Sequence, residues 1–336
     1  MVQAVALQVA IIVVATVAIW FGSDWLEEAS AKLSVYYDLP PVVQGGIVAA
    51  IGSSFPELAS VVFAAFAGSF GLGVGAIVGS AIFNVLVIPA LAVVLSPGHV
   101  TATRTLVHKE TLFYMLAIVV LFLTFALALI YYPAGGSLSG ELTRPLVALP
   151  LAVYGLYLFL QWQDTSDFEG RMETTRVNPR RQWGRLTAGL LVILVAVHQL
   201  VEAVLVLGET AGTPEFLWGV TIVAAATSLP DALVSLQAAG KNHDVASIAN
   251  VLGSNTFDLL VIIPIGVLIT GTAPVDFAIT APMMGCLVVS TVLLFVMLRT
   301  DLILSQREAY VLLVAYGLFV LWVIGEALRF VTVLPG

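Results

Sequence analysis

The chain has 336 residues, of which 60% are hydrophobic and only 10% charged, with a mean hydropathy of +1.05. Soluble domains carry roughly 25% charged residues, so this composition excludes a large-cored soluble protein and describes an all-α polytopic membrane protein. A net charge of −8 speaks against nucleic acid as a partner, and the single cysteine, Cys286, excludes an intrachain disulfide.

In chain order, apolar runs separated by short polar or glycine-bearing breaks predict ten membrane spans. They lie at about 3–22, 41–66, 70–95, 108–132, 143–161, 186–208, 214–239, 245–271, 276–298 and 308–331. The first run has no basic stretch before it, which predicts a retained helix and not a cleaved signal peptide. The longest polar segment, from Gln161 to Arg185, divides the spans five and five and reads as an exposed linker. The predicted organisation is therefore a first transmembrane repeat over 1–161, a basic linker over 162–185 and a second repeat over 186–336. With the linker in the cytoplasm, Lys32, Arg104, Lys109, Lys241, Arg299 and Arg307 fall on its side, so 11 of the 13 basic residues face inward. Both termini then lie outside the cell, in a multi-pass protein of the plasma membrane.

Two spans carry an unusual motif. The second contains Gly52-Ser53-Ser54-Phe55-Pro56-Glu57, and the seventh contains Ala226-Thr227-Ser228-Leu229-Pro230-Asp231. Each places a carboxylate directly after a proline in the middle of an apolar run. A charge at membrane depth costs at least ~2.5–3.5 kcal/mol on insertion scales, so such a carboxylate points to function. A proline within a helix also removes one hydrogen bond and frees a carbonyl that hydrocarbon cannot satisfy.

The two motifs share one register. Glu57 and Asp231, Ser80 and Ser254, and Asn84 and Asp258 are each 174 residues apart. Motifs at 52–57 and 79–84 in the first half thus align with 226–231 and 253–258 in the second. Glu28 and Glu202 share the offset and are expected to serve packing; His198 is expected to be a packed or interfacial residue. Because each half has an odd number of spans, the second enters the bilayer inverted. This is the architecture of secondary transporters, with broken helices meeting at the midplane.

Ser53, Ser54 and Glu57 fall on one helical face, and Thr227, Ser228 and Asp231 repeat the spacing. Ser80 with Asn84, and Ser254 with Asp258, are four apart. Together these residues offer carboxylate, amide, hydroxyl and freed carbonyl oxygens, with no thiolate or paired histidine. An all-oxygen set suits hard cations: calcium, sodium, potassium or magnesium.

At these residues, over about 45–90 and 219–264, the chain resembles the calcium/cation antiporter superfamily in its sodium/calcium exchanger branches. The family pattern reads Gly-Thr-Ser-Leu-Pro-Glu, and here Ser53 and Phe55 replace threonine and leucine. The resemblance implies ten helices as two inverted five-helix repeats, with helices 2, 3, 7 and 8 broken at the core. It implies Glu57 and Asp231 as calcium ligands, with Asp258, Asn84, Ser53, Ser54, Ser80, Thr227, Ser228 and Ser254 completing the calcium and sodium sites. Gly-Ser-Ala-Ile-Phe-Asn at 79–84 in the first half, and Asp231 with Asp258 in the second, look similar to potassium-dependent exchangers. The implied function is a secondary antiporter exchanging calcium for sodium by alternating access, without enzymatic activity, cofactor or obligatory protein partner. Its ions are Ca²⁺ and Na⁺, with K⁺ also open. Proton-coupled or potassium-dependent calcium exchange, and a passive cation channel, are the alternatives.

Overall fold

The computed structural model describes residues 2–39, 48, 50–95, 99–104, 106–135, 138–165, 177–240, 244–328 and 330. Helix α1 spans Val2–Tyr36. A short α2, Ala50–Ser53, is followed after Ser54 by α3, Phe55–Phe66. Then come α4, Phe70–Leu95, and α5, Leu106–Tyr131. The first half closes with α6, Arg144–Thr165. The second half begins with α7, Pro179–Ala211, followed by α8, Glu215–Thr227, and α9, Leu229–Gly240. It continues with α10 over 244–270, α11, Phe277–Arg299, and α12, Gln306–Ala327.

Eight of these helices are long and apolar enough to cross a bilayer, and α8 with α9, bent by 40° at Ser228, adds a ninth. The expected second span, 41–66, has most of its first half outside the described residues, and its remaining apolar helix α3 is only 12 residues long. The predicted count of ten is therefore not reached among the described residues.

Two helices overrun their predicted limits. Both α1 and α7 continue well past the apolar stretches at 3–22 and 186–208, because the extra turns pair with each other across the two helices. Glu28 pairs with Lys32 on its own helix and with Arg185 on α7. Asn178 caps α7 by accepting a hydrogen bond from the Arg181 amide, Pro179 occupies its first turn, and Gly212 ends it in the left-handed conformation at φ 63°. The crossing of α1 and α7 is close: a Cβ on Gly189 would lie 2.6 Å from the Gly22 carbonyl oxygen. Helices α6 and α7 also extend into the predicted linker, leaving 166–176 as its part outside the described residues.

The all-α expectation needs one amendment. Two short antiparallel ribbons join loops far apart in sequence: β1, His99–Thr101, pairs with β4, Ile303–Ser305, and β2, Ser139–Thr143, pairs with β3, Thr272–Asp276. The loops are extended enough to satisfy each other's backbone groups at the helix ends.

Helices α4 and α10 are enclosed by the others, while α1, α6 and α12 present exposed leucine, valine and aromatic side chains outward. The main core joins α4, α5, α10, α11 and α12 through residues such as Ile82, Tyr114, Phe125, Leu260 and Met284. A separate apolar cluster, including Ile19, Leu26, Ile193, Val197 and Leu200, joins α1 to α7 and to the inner helices. Where α4 crosses α8 the backbones touch: a Cβ on Gly79 would lie 2.3 Å from the Val220 carbonyl oxygen, and one on Gly219 would lie 2.2 Å from that of Leu72. Small residues let membrane helices approach this closely.

Gly219→Ala should therefore cost at least about 1–3 kcal/mol of stability by overpacking, read as a lower melting temperature in detergent. Gly285→Ala, with nothing near its added methyl, should leave that temperature unchanged or slightly raised.

Candidate functional site

The helix breaks are placed by proline. Pro56 and Pro230 sit just after Ser54 and Ser228, so the carbonyls of Gly52 and Ala226 lose the amide four residues on. Glu57 and Asp231 consequently lie in the first turns of α3 and α9, where unpaired amides and the helix dipole favour negative charge. The other two motif-bearing helices are interrupted as well. In α4 the helix breaks at Val87, shortly before Pro89. In α10 a π-helical segment, Asp258–Ile262, precedes Pro264 and opens on Asp258.

All ten residues expected from the sequence are buried. Ser54, Glu57, Ser80, Asn84, Thr227, Ser228, Asp231 and Asp258 have no exposed surface, and Ser53 and Ser254 have 4% and 3%. The two halves are stitched together through them. The Ser228 hydroxyl donates to that of Ser80 at 2.7 Å, and Asn84 Nδ2 donates to Asp231 Oδ2 at 3.2 Å. Ser53 and Ser254 flank Asp231, and Thr227 lies beside Glu57 while its own hydroxyl donates to the Val223 carbonyl at 3.1 Å. Ser54 lies beside Asp258 without closing a hydrogen bond.

The 174-residue offset relates two pairs of side chains in this cluster. Asp231 meets Asn84, and Glu57 has Asp258 and Asp231 as its buried charged neighbours. The pairs differ in one decisive way. Asn84 can donate to its carboxylate, whereas a second carboxylate cannot. Both side-chain oxygens of Glu57, both of Asp258 and Oδ1 of Asp231 have no hydrogen-bond donor. Burying even one polar group without a partner costs about 1–3 kcal/mol, and more if it is charged, so the Glu57–Asp258 pair calls for positive charge. Among the described residues no arginine, lysine or histidine forms an ion pair with it. No three acidic, histidine or cysteine side chains among the described residues form a ligand cluster by themselves, so any ion held here draws on hydroxyl, amide and carbonyl oxygens too.

Three residues outside the expected set belong to this neighbourhood. Asn255 accepts from Asn84 Nδ2 at 3.0 Å and donates to the Ala81 carbonyl and to the Tyr114 hydroxyl, both at 3.2 Å. Tyr114, fully buried on α5, thereby anchors the amide pair from outside the two motifs. Glu27 on α1 has Asp231 as its strongest charged neighbour. The sequence held a signal for Asn255, which stands at the same repeat position as Ala81; for Tyr114 it held none. His198 lies away from the cluster, edge-on to Phe63 at 5.1 Å, and Glu202 is exposed beside it.

Fold and site together define a polytopic helical membrane protein whose core is a cross-braced cluster of oxygen donors carrying three buried carboxylates. The chain belongs to the sodium/calcium exchanger protein family, which matches residues 7–163 and 181–325. It is similar to the sodium/calcium exchanger MaX1 of Methanosarcina acetivorans, at 24% identity over 331 residues, covering 89% of this chain and 93% of that one. Among solved structures it is similar to the sodium-calcium exchanger NCX_Mj, with a TM-score of 0.62 at 22% identity over 94% of this chain and 98% of that one. It is also similar to the H⁺/Ca²⁺ exchanger CAX, with a TM-score of 0.73 at 18% identity over 98% of this chain and 82% of that one.

Asp258→Asn tests the charge argument without any assumption about transport. An amide at this position can donate to Glu57 as Asn84 does to Asp231. In buffer stripped of metal ions, the variant should be more stable than the parent by about 1–3 kcal/mol. A thermal midpoint equal to or below the parent's would show that the pair is already compensated.

Proposed function

We propose that this protein is a secondary antiporter that exchanges calcium for sodium across the plasma membrane, and is not an enzyme. The observation that carries the reading is the buried Glu57–Asp258 pair with its four donor-free oxygens, next to Asp231 and ringed by hydroxyl and amide groups. A divalent ion, or several monovalent ions, neutralises such a cluster; oxygen-only donors suit Ca²⁺ and Na⁺. Cargoes competing for overlapping donors produce exchange instead of joint transport. Glu57, Asp231 and Asp258 would bind the ions by charge, and Ser53, Ser54, Ser80, Asn84, Thr227, Ser228 and Ser254 would complete their coordination. No cofactor or protein partner is invoked.

The architecture we propose is ten spans in two inverted repeats, 1–161 and 186–336, joined by the linker 162–185. Helices α2 and α3 with the residues preceding them would form the second span, and α8 with α9 the seventh. The linker would face the cytoplasm and both termini the outside. The ribbons support this arrangement. Ten alternating spans put the loops of β1 and β4 together on the linker side and those of β2 and β3 together on the other, as their pairing requires. Alternating access would come from sliding of α1 and α7, which share their own apolar cluster, over the motif-bearing helices.

Proton-coupled calcium exchange is the second reading, favoured by the close fit to the H⁺/Ca²⁺ exchanger fold and by carboxylates that bind protons as readily as metals. In reconstituted vesicles, an outward sodium gradient is expected to drive uptake of labelled calcium, and a pH gradient of the same size is not. Glu57→Gln and Asp231→Asn should each abolish that uptake while the protein remains folded. Normal transport by either variant would mean that the ions bind elsewhere.

A further inference from the structure

The proposed exchange uses three carboxylates, all on motif-bearing helices. A fourth faces the same region from α1. Glu27 and Glu28 are neighbours in sequence, yet they project about 100° apart around a helix, and their surroundings differ completely. Glu28 pairs with Lys32 and Arg185. Glu27 turns the other way, against α2. Its Cγ lies 3.7 Å from where a Cβ on Gly52 would stand, which is ordinary van der Waals distance.

At that place Glu27 Oε1 is buried and has no hydrogen-bond partner. Ser30, the nearest hydroxyl on its own helix, donates to the Glu27 main-chain carbonyl at 3.0 Å and not to the carboxylate. The strongest charged neighbour of Glu27 is Asp231, ahead of Asp24 one turn back on α1. Asp231 is itself fully buried, with Oδ1 lacking a donor. Two buried carboxylate oxygens without donors therefore lie on helices that pack against each other, α1 and α9. Among the described residues no lysine, arginine or histidine forms an ion pair with Glu27 or Asp231. Like charges brought together out of water raise the energy of the ion-free state, and a cation between them lowers it.

Resting on the exchange reading, we propose that Glu27 is a further cation-binding residue: with Asp231 it forms a divalent-cation site at the linker-side approach to the central cluster. The ion would be held there by Glu27 and Asp231 while α1 stands in this position, before or after its stay at Glu57 and Asp258. Because Glu27 rides on α1, a sliding movement of that helix would carry one ligand of this site away from the other. Sliding would thereby couple ion transfer to the change of access.

The test is sodium-driven uptake of labelled calcium in reconstituted vesicles by the parent, Glu27→Gln and Glu27→Asp, with half-saturation measured for both ions. Removing one ligand charge is expected to raise half-saturating calcium about tenfold. Half-saturating sodium should rise only about threefold, since a single positive charge feels half the loss in energy. Glu27→Asp should recover most of the calcium affinity. If Glu27→Gln does not purify in folded form, Glu27→Met, which keeps the side chain's length and removes its charge, should show the same preferential loss for calcium. Unchanged calcium half-saturation in whichever variant is assayed overturns the proposal. So does an equal shift for both ions, which would mark a packing role. A parent protein that moves no calcium would instead overturn the exchange reading itself, and it would do so before any variant is compared.

Discussion

The structure depends on one arrangement: two carboxylates, Glu57 and Asp258, face each other inside a membrane protein with no donor to either. Everything else in the core can be understood as what makes that tolerable. The prolines stop α3 and α9 so that Glu57 and Asp231 begin helices and feel their amide ends. Serines and threonines surround the acids, although several of them spend their hydroxyls on backbone carbonyls one turn back, as Thr227 and Thr256 do. The close backbone crossing of α4 and α8 removes the room in which the two halves could drift apart and let lipid in.

The related pair shows what the alternative would be. Asn84 donates to one oxygen of Asp231, and the amide is braced further by Asn255 and Tyr114. A core built twice from that pair would carry one negative charge fewer and one amide donor more. Changing one amide to a carboxylate at a single repeat position gives the cluster its unmet demand for positive charge. Function, on this view, sits in the departure from symmetry more than in the symmetry itself.

Much of this is legible in the sequence. A carboxylate following proline in an apolar run is costly enough to stand out, and its recurrence at a fixed offset, with the hydroxyl and amide residues that share the register, points to all ten buried side chains. The limits are physical as well. Hydropathy registers lipid contact, so it stops α1 and α7 where the chain turns polar, although the helices run on as an ion-paired extension. Strands of three to five residues carry too little pattern to announce the ribbons. The offset also matches Glu28 with Glu202, but neither enters the cluster; Glu27, which has no acidic counterpart, is the one turned inward. A difference of one residue rotates a side chain by about 100°, and only the packed helix decides which of two adjacent acids faces the core. Tyr114 could not be anticipated, because it belongs to neither motif.

Ala81 and Asn255 occupy the same position in the two halves, and Asn255 reaches the Ala81 carbonyl at 3.2 Å. In the inverted-repeat arrangement proposed above, residues that meet their own counterparts would lie on the axis relating the halves, where two equal side chains would have to share one place. If asparagine stood at both positions, the two amides would compete for the room that one now fills. Two copies of one unit joined in that arrangement would therefore crowd if they stayed identical at the centre. Divergence between them would relieve that crowding, and the two halves do differ here: one presents a methyl group and the other an amide.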